Sequence, residues 1–165
     1  MPPALERAID AGLSASEASD GIGDERLRAE FFAWLAVRGF APRRLRQAGY
    51  GNLARNCEIQ SDLWNAMLAS ATAQHTIGKE YRDAVTPRLA SFAYSASAHA
   101  ATAAFYAGAE EIETVVQTGH YCARALVSPF CDEDVDPCEA RWIWEVAVTA
   151  INTAIDIKAC SAACD

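Results

Sequence analysis

Three histidines are the strongest candidates for acid–base or ligand chemistry in this chain. Imidazole titrates near neutral pH and ligates metals, and helix bundles build such sites between facing helices. His75, His99 and His120 fall on three successive helical segments. In an antiparallel arrangement the helix rise places all three roughly 10–18 Å below the turns at Pro87 and Pro129. His75 continues a stripe of Trp64, Leu68 and Ala71, while His120 continues Val116 toward Ala123 and Val127. His99 stands in an alanine-lined segment, and Tyr94, Tyr121 and Cys122 are in register to join a pocket. The plainer reading is three separate histidines, each on a helix surface or hydrogen-bonded in the core. No glutamate stands three residues before any of them, so the Glu-x-x-His pair of di-iron bundles is missing. No metal or cofactor is expected. A metal or small molecule held in the bundle core is the alternative.

Charge makes a second pattern. Arg38, Arg43, Arg44, Arg46 and Arg55 crowd a segment without an acidic residue before Glu58. Arg43, Arg44, Arg46 and Arg55 could hold an anion such as phosphate, with Tyr50 stacking on a base, or lean on an acidic segment of the same molecule. The acidic side is Glu110, Glu111 and Glu113, and a loop of Asp132, Glu133, Asp134 and Asp136 that runs on to Glu139. That loop opens like a calcium site but has Pro137 where the sixth position needs glycine, and Ile143 where the twelfth needs glutamate. Its expected role is a docking surface that steers a basic protein partner.

Six cysteines invite a metal or disulfide reading. Cys131 and Cys138 flank the acidic loop, and Cys160 and Cys164 close the sequence. A helix over 138–160 separates its ends by roughly 33 Å, so these four cannot share one zinc. Cys131 with Cys138, or Cys57 with Cys160 or Cys164, would be the pairs to oxidise. With no secretory signal at the start, a reducing compartment and free, buried thiols are expected. Walker A, H-E-x-x-H and G-x-S-x-G patterns are absent. Gly49-Tyr50-Gly51-Asn52-Leu53-Ala54 matches a dinucleotide fingerprint, but no strand pattern precedes it.

The elements that must position these residues read as helices. A short one is expected around Ala4–Ile9, followed by a linker over 14–23. Asp24 is expected to cap the next helix, with Leu27, Phe31, Trp34 and Leu35 on its inner face, and Gly39 to stop it. Pro42, Gly49 and Gly51 then break the pattern into short turns. Four longer helices follow, the first capped by Ser61 with Leu63, Trp64, Met67, Leu68 and Ala71 inward. Thr86-Pro87 opens the second, which carries no charge between Arg88 and Glu110 and should lie at the centre. Ile112, Val115, Val116, Gly119, Cys122 and Leu126 form the stripe of the third. Asp136-Pro137 opens the fourth, striped by Trp142, Ile143, Val146, Ala147, Ala150, Ala154 and Ile157.

The expected fold is therefore all-α: an antiparallel up-down four-helix core over 61–160, preceded by a small N-terminal helical subdomain over 1–58, in one domain of 165 residues. Hydrophobic residues at 52% against 22% charged exclude a disordered chain. The net charge of −8 argues against general nucleic-acid binding and anionic membranes. The functional expectation is a small, acidic, cytoplasmic binding or regulatory protein that docks on a macromolecular partner, in the manner of immunity proteins or adaptors. An enzyme or carrier using the histidines is the rival. Whether the alanine-rich helix packs on its own chain or forms a homodimer with a second copy stays open.

Overall fold

A computed structural model describes residues 22–80, 87–109, 114–127 and 137–161. The expected helix at Ala4–Ile9, most of the linker, the third helix's acidic start and the acidic loop lie outside them. All regular structure among the described residues is helical.

Helix α1, Ile22–Trp34, runs without interruption into a π-helical turn, Leu35–Phe40, and then into α2, Ala41–Gln47. Asp24 lies within α1, not before it, and Gly39 does not end the helix. Pro42 explains the detour. It has no N–H to return to residue 38, and its ring would crowd that carbonyl. The ladder widens instead, with the Ala41 N–H donating to Ala36 O, and Pro42 falls in the first turn of α2, where a missing N–H costs nothing. A Schellman motif closes α2: the Tyr50 N–H donates to Leu45 O at 2.8 Å and the Gly49 N–H to Arg46 O at 3.0 Å. Gly49 takes φ +88° there, which glycine alone adopts freely. Helix α3, Gly51–Glu58, starts two residues later, so the fingerprint-like run is one helix stop followed by one helix start.

Helices α4, Leu63–Glu80, α5, Pro87–Gly108, α6, Thr114–Val127, and α7, Pro137–Ser161, complete the described chain. The cap of α4 is Asp62, one residue past the expected Ser61: its Oδ1 accepts the Asn65 N–H at 2.8 Å and its Oδ2 accepts the Asn65 amide at 2.7 Å. These hydrogen bonds hold the Asp62 carboxyl below its ordinary pKa.

Helix α5 is the centre, as its lack of charge predicts. It packs along α4 on one side and α6 on the other, and α1, the π turn and α2 cross it. The core is not confined to the four helices after Ser61. Helix α7 lies mainly against α1 and only slightly against α6. The missing wall comes from the N-terminal helices through Ala29, Phe32, Ala33, Ala36, Val37 and Phe40, all buried. Arg28, 1% exposed, fastens α1 to α7 by donating to Ala154 O at 3.1 Å, while neighbouring Leu27 faces out.

The α4–α5 contact is built from small side chains. Ala66, Ala69, Ser70 and Ala73 of α4 are buried, as are Ala90, Ala93, Ala96 and Ala100 of α5. Small residues let helix axes approach closely, which leaves no room between them for an indole. The expected inward stripe of α4 therefore holds only in part: Leu63 and Met67 pack against the core, but Trp64 is 65% and Leu68 44% exposed, and His75 is exposed as well. The stripes of α6 and α7 fall inward where expected, through Gly119, Cys122 and Leu126, and through Ile143, Ala147 and Ala154. No helix among the described residues is long and apolar enough to cross a membrane.

Candidate functional site

Two of the three histidines meet. His99 from the middle of α5 and His120 from α6 both stand against Tyr121, with ring centroids 6.0 Å and 5.7 Å away. Tyr106 stacks on Tyr121 at 5.6 Å with an 11° interplanar angle, and the Arg124 guanidinium lies 5.8 Å from the same ring. Burial lowers the His99 pKa, and the positive charge of Arg124 and the nearness of His120 lower it further, so the neutral imidazole is favoured. His75 is not part of this cluster. It lies on the outer side of α4 with Tyr94, whose hydroxyl accepts a hydrogen bond from Gln74 Nε2 at 3.1 Å. The separation follows from the part of the α4 stripe that faces out. Among the described residues, no group of three His, Cys, Asp or Glu side chains is placed to hold a metal ion.

The basic segment is largely occupied by carboxylates of its own chain. Glu139, at the start of α7, pairs with Arg43 and with Arg44, each at 2.8 Å. Arg43 lies 3.7 Å over the Trp142 ring one turn along α7, and Trp142 meets Phe40 edge-on. Arg44 is 5% exposed and also donates to Gln47 Oε1 at 2.9 Å. Arg46 pairs with Glu58, and Arg38 donates to Gln60 O while lying over Trp34. Arg55 is exposed. The arrangement is a clamp between α2 and α7. Asp132, Glu133, Asp134 and Asp136, the expected docking residues, lie outside the described residues, as does Cys131.

Cys57 and Cys122 are buried free thiols, and burial pushes both above the ordinary thiol pKa. Cys57 Sγ contacts Ser70 Oγ at 3.9 Å. Cys138, at the start of α7, is exposed.

The feature missed by sequence reasoning is the outer face of the α4–α5 hairpin. Trp64, Leu68, Ala71 and His75 make one stripe on α4, and Tyr94, Ala98, Ala101 and Phe105 make the matching stripe on α5. Trp64 and Phe105 line a depression at one end with Met67 and Gly108. Gln74, His75, Gly78, Tyr94 and the charged Lys79 line another at the opposite end. Phe105 is 57% and Tyr94 39% exposed. From Leu63 to Gly78, and again from Leu89 to Ala109, the sequence holds no Asp, Glu, Lys or Arg. A solvated helix face is normally charged or polar, and this one exposes aromatic side chains along a stretch without acidic or basic residues. The signal available in the sequence was the second, all-small stripe of α4 at Ala66, Ala69, Ser70 and Ala73, which competes with the aromatic one for the interior.

No protein-family model, no curated protein and no solved structure matches this chain.

Proposed function

We propose that this chain is an acidic binding protein of the cytoplasm that acts by docking on another protein, and that the uncharged outer face of the α4–α5 hairpin is its contact surface. The observation that carries the reading is that face: four large side chains, Trp64, Leu68, Tyr94 and Phe105, are exposed along two helices that carry no charge there. Burying such a face removes apolar area from water without stranding an ion. The net charge of −8 keeps nucleic acid and anionic membranes away from the rest of the molecule. The acidic segment Asp132–Asp136 is proposed as a separate steering surface for a basic partner.

A photo-crosslinking residue in place of Phe105, in cells that make the protein, tests the contact surface. A discrete crosslinked product is expected from that position and not from the exposed Asn52, which lies outside the face. If position 105 yields no product distinct from the Asn52 control, the docking reading fails.

The His99–His120–Tyr121 cluster favours a second reading, a small molecule held between α5 and α6. Native mass spectrometry of untagged protein tests it: added mass that is lost on His99→Ala supports a ligand, and a bare chain mass argues against one.

A further inference from the structure

We infer that the seam between α5 and α6 binds a small molecule through a doubly charged oxyanion, such as a phosphate group, held where His99, His120 and Arg124 surround Tyr121. The inference rests on the second reading above and gives its ligand a charge. One observation behind it is the cluster itself. The His99 ring, the His120 ring and the Arg124 guanidinium lie 6.0 Å, 5.7 Å and 5.8 Å from the centre of the Tyr121 ring. His120 and Arg124 stand one turn apart on the same face of α6, and His99 meets that face from α5. Each of the three donates N–H bonds and can carry a positive charge. Arg124 is exposed, whereas His99, His120 and Tyr121 are half-buried. An anion can therefore reach the cluster from solvent and meet donors that are partly dry, where charge-assisted hydrogen bonds are strongest. The stacked ring of Tyr106 holds Tyr121 in place beside them.

The other observation is where the charges fall. The chain holds 22 acidic residues against 14 Lys and Arg, yet α5, with 22 residues, and α6, with 14, contain no Asp or Glu at all. Their ionic groups are Arg88, His99, His120 and Arg124, every one of them cationic when charged. Burial, Arg124 and His120 hold the His99 pKa below its ordinary value, and among the described residues no carboxylate offsets them. The helices on the other sides of α5 turn their charges elsewhere: Arg28 to Ala154 O, Arg38 to Gln60 O, and Arg43 and Arg44 to Glu139. Helix α4 brings His75, on its outer side, and no charged residue before Lys79. A bound dianion supplies the missing counter-charge. The imidazoles then take up protons on binding, and affinity rises as pH falls through the histidine range. Three potential positive charges suit two negative ones better than a single carboxylate. One arginine is too few for a polynucleotide, whose phosphates need a row of cations.

Histidine ring resonances of the full chain, followed against pH by NMR, test the site, with sulfate as the probe and chloride at equal ionic strength as the reference. Sulfate keeps both charges across the histidine range, so a change in titration belongs to the protein. His75, on the outer side of α4, is the internal control. Sulfate is expected to raise the His99 and His120 pKa by about one unit and to leave His75 where it was. Arg124→Gln, at an exposed position, is expected to keep the helical circular dichroism and lose most of that rise. Acetate at the same concentration is expected to give a smaller rise than sulfate. Equal shifts at all three histidines, which would mean an adventitious ion only, overturn the inference. So does no shift at His99 and His120, a shift undiminished in Arg124→Gln, or acetate matching sulfate. Native mass spectrometry separates it from the reading it rests on: an added mass without a phosphate or sulfate group keeps the ligand and removes the dianion, and a bare chain with no sulfate response removes both.

Discussion

Arg44 Nη1 stands 2.8 Å from Glu139 Oε1, joining α2 to the first turn of α7 at a point where Arg44 is 5% and Glu139 19% exposed. The same carboxylate takes Arg43 on its other oxygen. Helix α7 has little contact with α6, so this clamp and the Arg28 bond to Ala154 O secure it to the rest of the fold. Burial lowers the Arg44 pKa while Glu139 raises it, so the guanidinium depends on that carboxylate to offset its desolvation.

Glu139→Gln should therefore destabilise the fold by about 2–4 kcal/mol, because it leaves a buried cation without its counter-ion. The urea unfolding midpoint measures it. Replacing the pair together, Arg44→Met with Glu139→Leu, should recover much of the loss. A Glu139→Gln midpoint equal to the parent's would show that the clamp adds nothing to stability.

His99 sets an acid limit on stability. Its folded pKa lies below the ordinary value, so the folded chain resists a proton that the unfolded chain accepts. Well above the ordinary histidine pKa of about 6.5 both states are neutral at this site and its contribution is flat. As pH falls below that value the unfolded state gains protons first, and stability declines until the folded pKa is passed. Thermal melts between neutral and mildly acid pH should show a slope that His99→Gln reduces. An unchanged slope would assign the acid sensitivity to other groups.

Thiol reactivity should divide by burial. The thiolate is the reactive form, and burial raises the pKa of both Cys57 and Cys122. Iodoacetamide at mildly alkaline pH should label Cys138 in the native protein, and Cys57 and Cys122 only after unfolding. Peptide mass mapping reads this directly. Early labelling of Cys122 would mean that α6 opens readily from the core.

Gly49→Ala should cost about 1–2 kcal/mol, because φ +88° is disfavoured for a residue with a Cβ. Space is not the obstacle, as nothing lies within 4 Å of an added Cβ. Gly49→Asn, which tolerates the left-handed region, should lose less. Equal midpoints for alanine and glycine would argue against the Schellman geometry between α2 and α3.

Periodicity and punctuation made the helices legible in the sequence. Pro87 and Pro137 start helices where a missing N–H is harmless, Gly49 and Gly108 stand where helices end, and the uncharged run over 89–109 identifies the central helix. These are local effects of backbone chemistry and burial, and they need no knowledge of neighbours. The choice between two faces of one helix was not local. Helix α4 offers an aromatic stripe at Trp64, Leu68 and His75 and a small-residue stripe at Ala66, Ala69 and Ala73. The alanines of α5 decided between them, because closely approaching axes accept only small side chains. That decision sent His75 away from His99 and His120 and put Trp64 in solvent. Leu27, expected inward, faces out for a related reason: the neighbouring Arg28 turns in, where the Ala154 carbonyl gives a buried guanidinium its partner. Composition and helix order were thus written in the chain, whereas which side of each helix faces in was settled only by the fit of one helix against another.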